Sequence, residues 1–153
     1  MIRLGEVAAE THRRMVDDER FGYTQGPGRW GGDGDTENWD VLGHSMLFTV
    51  GDRDCSSSVC DVWAECLRGT EYEGALSGAT YTGNMREVFT ASGLFEWKPM
   101  SFIAEPGDIY LNERDHTAMC CTQYPDVLTE FWNFYSSYFT HTCIFPASRL
   151  SQA

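Results

Sequence analysis

The sequence is poor in basic residues and has no long apolar run. Lys and Arg number 11 against 23 Asp and Glu, which gives a formal net charge of -12. The few basic residues are scattered, which argues against a groove that follows a nucleic-acid backbone. No segment approaches the length of a membrane span, and residues 1–20 lack the apolar core of a signal peptide. We therefore expect a protein made in the cytoplasm that binds no nucleic acid and does not span a membrane.

The cysteines lack the spacing of a structural zinc site. The chain has 6 cysteines, but none of them forms the C-x2-C pair typical of zinc knuckles. The neighbours Cys120 and Cys121 would point to opposite faces of a strand. A chain of 153 residues that is 42% hydrophobic can build a packed core without disulfides. We expect most of the cysteines to be reduced, and we predict neither a metal nor a cofactor.

Length and apolar periodicity predict a single α+β domain over residues 1–153. Apolar residues at helical spacing predict helices over 4–20, 56–68 and 82–93. The segment 21–40 is rich in Gly and Asp, which predicts a long surface loop. That loop carries three aromatic residues, Tyr23, Trp30 and Trp39.

The second half of the chain shows the composition of strands. The segment 41–50 is ambiguous between a short strand and an extended lead-in, and EPGD at 105–108 predicts a turn. Strands are predicted at 94–100, 109–111, 116–123, 126–132 and 142–145. Because helices precede antiparallel strands, we expect helices packed on one face of a short sheet.

The stretch DCSSSVCDVW at 54–63 raises the question of what Cys55 does. As a residue type it fits a buried thiol, a metal ligand, half of a disulfide or a nucleophile. Asp54 and the serines favour a helix start, so Cys55 would lie at a helix N-terminus. The helix dipole there favours a thiolate over a thiol.

A cysteine nucleophile needs a base, and the chain has 4 histidines. His12 is predicted on the polar side of the first helix, His44 lies in the ambiguous segment 41–50, and His141 follows an aromatic tail with no clear pattern. His116 opens an alternating strand directly after an acidic turn. A histidine at that position can face a helix N-terminus, so His116 is the candidate base.

Two runs together resemble a known family. DCSSSVC, followed by AEPGDIYLNERDHTAM and a further strand, is similar to the cysteine-helix, PGD-turn and histidine-strand series of NlpC-type and CHAP-like cell-wall hydrolases. The bacteriophage peptidoglycan amidases, or endolysins, are the most similar branch. The resemblance covers about residues 1–131, and the tail 132–153 departs from it. It implies a papain-like fold in which Cys55 is the nucleophile and His116 the general base.

The resemblance also implies the residues around this pair. It places a third polar residue on the strand after His116, which here reads DVLTEFWN and offers Glu130. A register slip of one residue would offer Thr129 instead. Tyr23 is the candidate side chain for stabilising the oxyanion, together with the Cys55 N–H. Two neighbours of the cysteine, Asp54 and Ser56, complete the residues expected around the oxyanion or the substrate.

These predictions imply a peptidoglycan hydrolase. The expected bond is the N-acetylmuramoyl-L-alanine amide, with cleavage inside the stem peptide as the alternative by the same residues. A catalytically inactive domain that binds wall fragments or a partner is the alternative of another class. The acidic charge disfavours tight adhesion to anionic wall polymers. Wall affinity would then come from a separate binding module, and the enzyme would reach the bacterial cell wall after release or export.

Overall fold

The computed structural model describes residues 2–99 and 102–121, together with the backbone of 143–145. It is a mixed α+β structure. The described residues form three helices: α1 at Leu4–Asp17, α2 at Cys55–Leu67 and α3 at Thr82–Ala91. The three predicted helices are therefore confirmed, although α1 ends earlier than expected. None of the helices described is long and apolar enough to cross a membrane.

A β-hairpin lies between α1 and α2, where a surface loop was predicted. Strand β1 at Thr36–Val41 pairs antiparallel with β2 at His44–Thr49. The two residues between the strands both have positive φ, 51° at Leu42 and 85° at Gly43, as in a type I′ turn. The ambiguous segment 41–50 is thus mostly strand, and the helices do not all precede the strands.

Trp39 belongs to the core, and its expected place on a surface loop is wrong. It is buried in β1, with its ring centroid 5.5 Å from that of Phe21 and 5.1 Å from that of Phe48. Burial alternates along β1, so that Trp39 and Val41 face inward. This short alternation is the sequence signal that the surrounding Gly and Asp residues obscured.

A second sheet carries the three remaining strands of the described residues. They are β3 at Ile109–Asn112, β4 at His116–Met119 and β5 at Cys143–Phe145, in the order β4-β3-β5 with antiparallel pairing. The strand predicted at 109–111 is confirmed, and those predicted at 116–123 and 142–145 are confirmed over 116–119 and 143–145. No strand forms over 94–99, and the predicted strand 126–132 lies outside the described residues.

The turn before β3 joins this sheet to α1. Gly107 has a φ of 92°, and a Cβ at this position would lie 2.4 Å from the Cα of Gly5. The turn therefore needs glycine both for its backbone angle and for the close approach of α1. The predicted EPGD turn at 105–108 is confirmed, with the Asp108 N–H donating to the Glu105 carbonyl at 2.9 Å.

Helix α2 is the central element of the fold. It packs against α1, β2 and β4. Its buried apolar side chains are Val59, Cys60, Val62, Trp63, Cys66 and Leu67. Because α2 is surrounded in this way, the position of its first residue is set by several elements at once.

Candidate functional site

The site begins at the capped N-terminus of α2. Asp54 is the N-cap residue, and its Oδ1 accepts the Ser57 N–H at 2.7 Å. Ser57 Oγ accepts the Asp54 N–H at 2.8 Å, so each residue caps the other. Cys55 follows as the first residue of the helix and is buried, with 7% of its surface exposed. The predicted helix start and the position of Cys55 are confirmed.

Arg29 extends from the glycine-rich loop to this cap. Its Nη1 lies 3.3 Å from both Asp54 Oδ1 and Ser56 Oγ, and Nη2 donates to the Thr80 carbonyl. The guanidinium carbon also lies 5.0 Å from the centroid of the Trp30 ring. Arg29 therefore joins the loop, the start of α2 and the segment before α3 at one point.

Arg53 anchors the same helix start from the core. Its side chain is fully buried, and its Nη2 lies 2.8 Å from Asp61 Oδ2 and 2.8 Å from the Thr49 carbonyl. Nη1 donates to the Gly51 carbonyl at 3.1 Å. Burial raises the pKa of Asp61 even though Arg53 acts to lower it. A buried arginine requires such partners, so Arg53 fixes the chain two residues before Cys55.

Tyr23 lies beside the chain that leads into α2. Tyr23 and Arg53 form an isolated parallel bridge. The Thr24 N–H donates to the Arg53 carbonyl at 3.0 Å, and the Arg53 N–H donates to the Gly22 carbonyl at 3.0 Å. Tyr23 remains 40% exposed. The loop thus carries an exposed tyrosine to the start of α2, and a contact with an oxyanion stays a prediction.

His116 is the first residue of β4, the strand that packs against α2. Only 4% of its surface is exposed. Burial lowers the pKa of His116 from 6.5 to about 4, while the neighbouring Asp115 acts to raise it. The imidazole is therefore neutral at pH 7, the form that accepts a proton. The predicted strand start is confirmed, and the role of the ring as a base stays a prediction.

His12 is buried, and its expected place on the polar side of α1 is wrong. It is 2% exposed, and its Nε2 lies 3.2 Å from Ser58 Oγ. Ser58 Oγ in turn donates to the Cys55 carbonyl at 3.0 Å. Burial lowers the pKa of His12 to about 4. His12 thus connects α1 to the first turn of α2.

The other described cysteines are core thiols. The five described cysteines are buried, and none of them forms a disulfide. Burial raises the pKa of Cys60 and of Cys66, so both are protonated at neutral pH. Within 2–99 and 102–121, no group of three or more His, Cys, Asp and Glu residues is arranged to hold a metal ion.

The remaining predicted site residues divide into two groups. Asp54 and Ser56 are buried, and their oxygens take part in the cap and in the contacts with Arg29. The structure gives both a role in holding the helix start, and a contact with substrate stays a prediction. Glu130 and its alternative Thr129 lie outside the described residues.

Sequence reasoning missed both arginines. Arg53 stands directly before the N-cap residue, and Arg29 stands inside the glycine-rich loop. In a chain with only 11 basic residues, an arginine next to the cysteine motif was an available signal. The contacts of Arg29 depend on how a distant loop packs, and no local pattern reports that.

The comparison with protein families finds a match. A family model described as an endolysin-like domain matches residues 2–125, which is more than half of the chain. No curated protein and no solved structure matches the sequence. The matched range includes the α2 cap, Arg29 and Arg53, Tyr23 and His116.

Proposed function

Because this chain belongs to the endolysin-like domain family, we propose that it hydrolyses an amide bond of peptidoglycan with Cys55 as nucleophile and His116 as general base. The family suggests a lytic function on the cell wall. The observation that carries the rest is local: Cys55 begins a capped helix, and that helix packs against the strand that His116 begins.

The similar distances along α2 and β4 from their shared contact at Gly107 support a close approach of Cys55 and His116. Trp63 Nε1 donates to the Gly107 carbonyl at 3.1 Å, and the Gly107 N–H donates to the Cys120 carbonyl at 2.8 Å. Through Gly107, these bonds join α2 at Trp63 to Cys120, the residue directly after β4. Cys55 precedes Trp63 by eight residues, about 12 Å along a helix. His116 precedes Cys120 by four residues, about 13 Å along a strand.

Helix α3 supports the direction in which the two elements run. Arg29, which contacts the cap of α2, also donates to the Thr80 carbonyl just before α3. One turn into α3, Arg86 lies 3.5 Å from Glu113, in the turn that leads to His116. The start of α2 and the turn before β4 therefore both lie near the beginning of α3, as a Cys55–His116 pair requires.

The chemistry follows from a neutral imidazole beside a thiol. His116 takes the Cys55 proton, and the sulfur attacks the amide carbonyl to form a tetrahedral intermediate. The C–N bond breaks as the imidazolium gives its proton to the leaving amine, which leaves a thioester on Cys55. A water molecule, deprotonated by His116, then attacks the thioester and releases the carboxylic acid and the thiol.

The start of α2 supplies the setting for the negative charge of that intermediate. The cap engages the N–H groups of Ser57 and Ser58, at 2.7 Å and 3.1 Å. The Cys55 N–H is the proposed oxyanion donor, with Tyr23 as the second donor from the adjacent loop. Asp54 and Ser56 hold the helix start that presents these groups.

Within the family, the activity that we propose is that of an N-acetylmuramoyl-L-alanine amidase, and the proposed fold is papain-like. A central helix that begins with cysteine and packs on an antiparallel sheet that carries histidine supports this fold. Glu130 is the proposed partner that orients His116. We further propose that the protein is made in the cytoplasm, reaches the wall after release or export, and relies on a separate module for strong wall binding.

A turbidity assay on purified cell walls tests the proposal. Wild-type protein should lower the turbidity, and Cys55→Ala should not, with circular dichroism showing that the variant is folded. Cys60→Ala is the matched control, because Cys60 is a buried thiol of the same helix with no role in the mechanism. Lysis by folded Cys55→Ala at the wild-type rate would refute the mechanism.

A further inference from the structure

Exposed aromatic side chains gather around the start of α2. Four aromatic residues are among the exposed large hydrophobic side chains of the described residues: Tyr23, Trp30, Tyr72 and Tyr81. Tyr23 and Trp30 are bridged to Arg53, and Tyr81 follows Thr80, whose carbonyl accepts from Arg29 at the α2 cap. We propose that Tyr23, Trp30 and Tyr81 form a subsite for the sugar rings of the peptidoglycan glycan strand. This subsite deepens the proposed function and rests on it.

Trp30 is held next to the cysteine motif by its backbone. It forms an isolated antiparallel bridge with Arg53, and the Gly31 N–H donates to the Asp52 carbonyl at 3.1 Å. The Arg29 guanidinium lies against its ring, yet Trp30 stays 38% exposed. Tyr23 is bridged to the other side of Arg53. Two exposed aromatic residues therefore flank the segment that leads into Cys55.

Tyr81 is the N-cap residue of α3, and several contacts hold it in place. Asn84 Oδ1 accepts the N–H groups of Thr80 and Tyr81, at 3.0 Å and 3.2 Å. The Thr80 carbonyl accepts from Arg29, which also contacts Asp54. A Cβ on Gly83 would lie 2.4 Å from Tyr81 Cε2, so the ring lies directly against the glycine backbone. Tyr81 is still 56% exposed.

The chemistry of the subsite formed by Tyr23, Trp30 and Tyr81 favours sugar over peptide as its ligand. The C–H faces of pyranose rings are apolar and stack on flat aromatic rings, while their hydroxyls bond to polar tips such as the tyrosine O–H. The glycan backbone also has uncharged stretches, whereas stem peptides carry carboxylates. A protein with a net charge of -12 repels the carboxylates more than the sugars. Rigid rings lose little conformational entropy on binding, which suits recognition of a repeating strand.

A binding experiment on the inactive protein tests the subsite. The probe is the β-1,4-linked tetramer of N-acetylglucosamine, which carries no peptide, titrated into folded Cys55→Ala by isothermal calorimetry. Adding Trp30→Ala or Tyr81→Ala should each weaken binding by about three- to tenfold, since each removes one stacking contact. Adding Tyr72→Ala is the control, because Tyr72 is 41% exposed and is tied to the C-terminal end of α2, where its N–H donates to Thr70 Oγ1 and the Thr70 N–H donates to the Leu67 carbonyl. It should leave binding unchanged.

Gly83→Ala gives a second variant that keeps every aromatic ring. The new methyl group would displace the Tyr81 ring, so binding should weaken as in Tyr81→Ala while the fold persists. Failure of folded Cys55→Ala to bind the tetramer at millimolar concentration would overturn the subsite, as would equal affinity in all the variants. The proposed function would survive either result if wild-type lysis still requires Cys55. Lysis that does not need Cys55 would instead refute that function.

Discussion

Backbone position, rather than burial, sets Cys55 apart from the other cysteines. All five described cysteines are buried and outside any disulfide, but Cys55 alone among them begins a helix. Cys60 and Cys66 lie further along the same helix, where burial raises the pKa of each thiol. The local sequence DCSSS was enough to predict this difference, because N-capping depends on neighbouring residues.

The charged form of His116 needs a stabilising partner. Burial lowers its pKa to about 4, so a thiolate–imidazolium pair at pH 7 requires a further negative group that stabilises the charged ring. Glu130 is our proposal for that group. Glu130→Gln should reduce activity less than Glu130→Ala, because Gln keeps an acceptor oxygen.

The pH dependence of the reaction rate tests the role of the Glu130 charge more directly. Loss of the Glu130 charge should lower the pKa of His116 further, so the acidic limb of the rate profile should move to lower pH in Glu130→Gln. Thr129→Val is the control for strand register and should leave the profile unchanged. A crippled Thr129→Val beside a fully active Glu130→Ala would mean that Thr129, not Glu130, faces the histidine.

At the scale of elements, two arginines hold the start of α2. Arg53 bonds from within the core, and Arg29 from the loop side. The helix itself was predictable, since its cap and its apolar face are local. The contacts of the two arginines were not, because their partners at Thr49, Asp61 and Thr80 come together only through tertiary packing.

The hairpin shows the same limit of sequence reasoning. Only Trp39 and Val41 alternate inward on β1, too short a pattern to outweigh the surrounding Gly and Asp residues. Helix α3 was easier to predict, because a ten-residue helical pattern followed by Gly93 is a strong local signal. What remained hidden was the pairing between elements, and that pairing brings Tyr23 and Arg29 to the site.

Removal of the Arg53 anchor should destabilise the protein markedly. Arg53→Met leaves Asp61 without its ion-pair partner and the Thr49 carbonyl without its donor, which should cost about 3 kcal/mol of unfolding free energy. Urea denaturation measures this. Arg13→Met, which removes an exposed ion pair with Glu10, is the control and should change stability by about 0.5 kcal/mol or less. Equal stability of both variants would contradict the anchoring role of Arg53.

His12, at the contact between α1 and α2, should make the stability of the fold sensitive to acid. Its pKa is about 4 in the folded protein against 6.5 ordinarily, so folding favours the neutral ring. The resulting stabilisation is complete above pH 6.5 and is lost as the pH falls toward 4. Between pH 7 and pH 5 the loss should be on the order of 2 kcal/mol.

His12→Gln isolates this contribution. The variant should be less stable than wild type at pH 7, because Gln fits the buried site poorly, but it should lose less stability on acidification. His116 and the carboxylates titrate in both proteins, so the difference between their urea midpoints at pH 7 and pH 5 reports His12. Parallel losses in the two proteins would show that His12 does not titrate in this way.

At the scale of the whole molecule, the net charge of -12 opposes binding to an acidic wall. Salt screens such repulsion, with a Debye length of about 30 Å at 0.01 M and about 8 Å at 0.15 M. The initial rate of lysis of walls rich in anionic polymers should therefore rise between these ionic strengths. Walls stripped of those polymers should show a weaker dependence, and a rate that falls with salt on both would contradict the charge argument.

The identity of the bond broken is the most direct test of the proposed function. Peptidoglycan of defined structure is digested with wild-type protein and with Cys55→Ala, and the new termini are identified by mass spectrometry. We predict new N-terminal L-alanine and free lactyl carboxyl groups with the wild type, and neither with the variant. New reducing sugar ends, or the same products from folded Cys55→Ala, would contradict hydrolysis of an amide bond by Cys55.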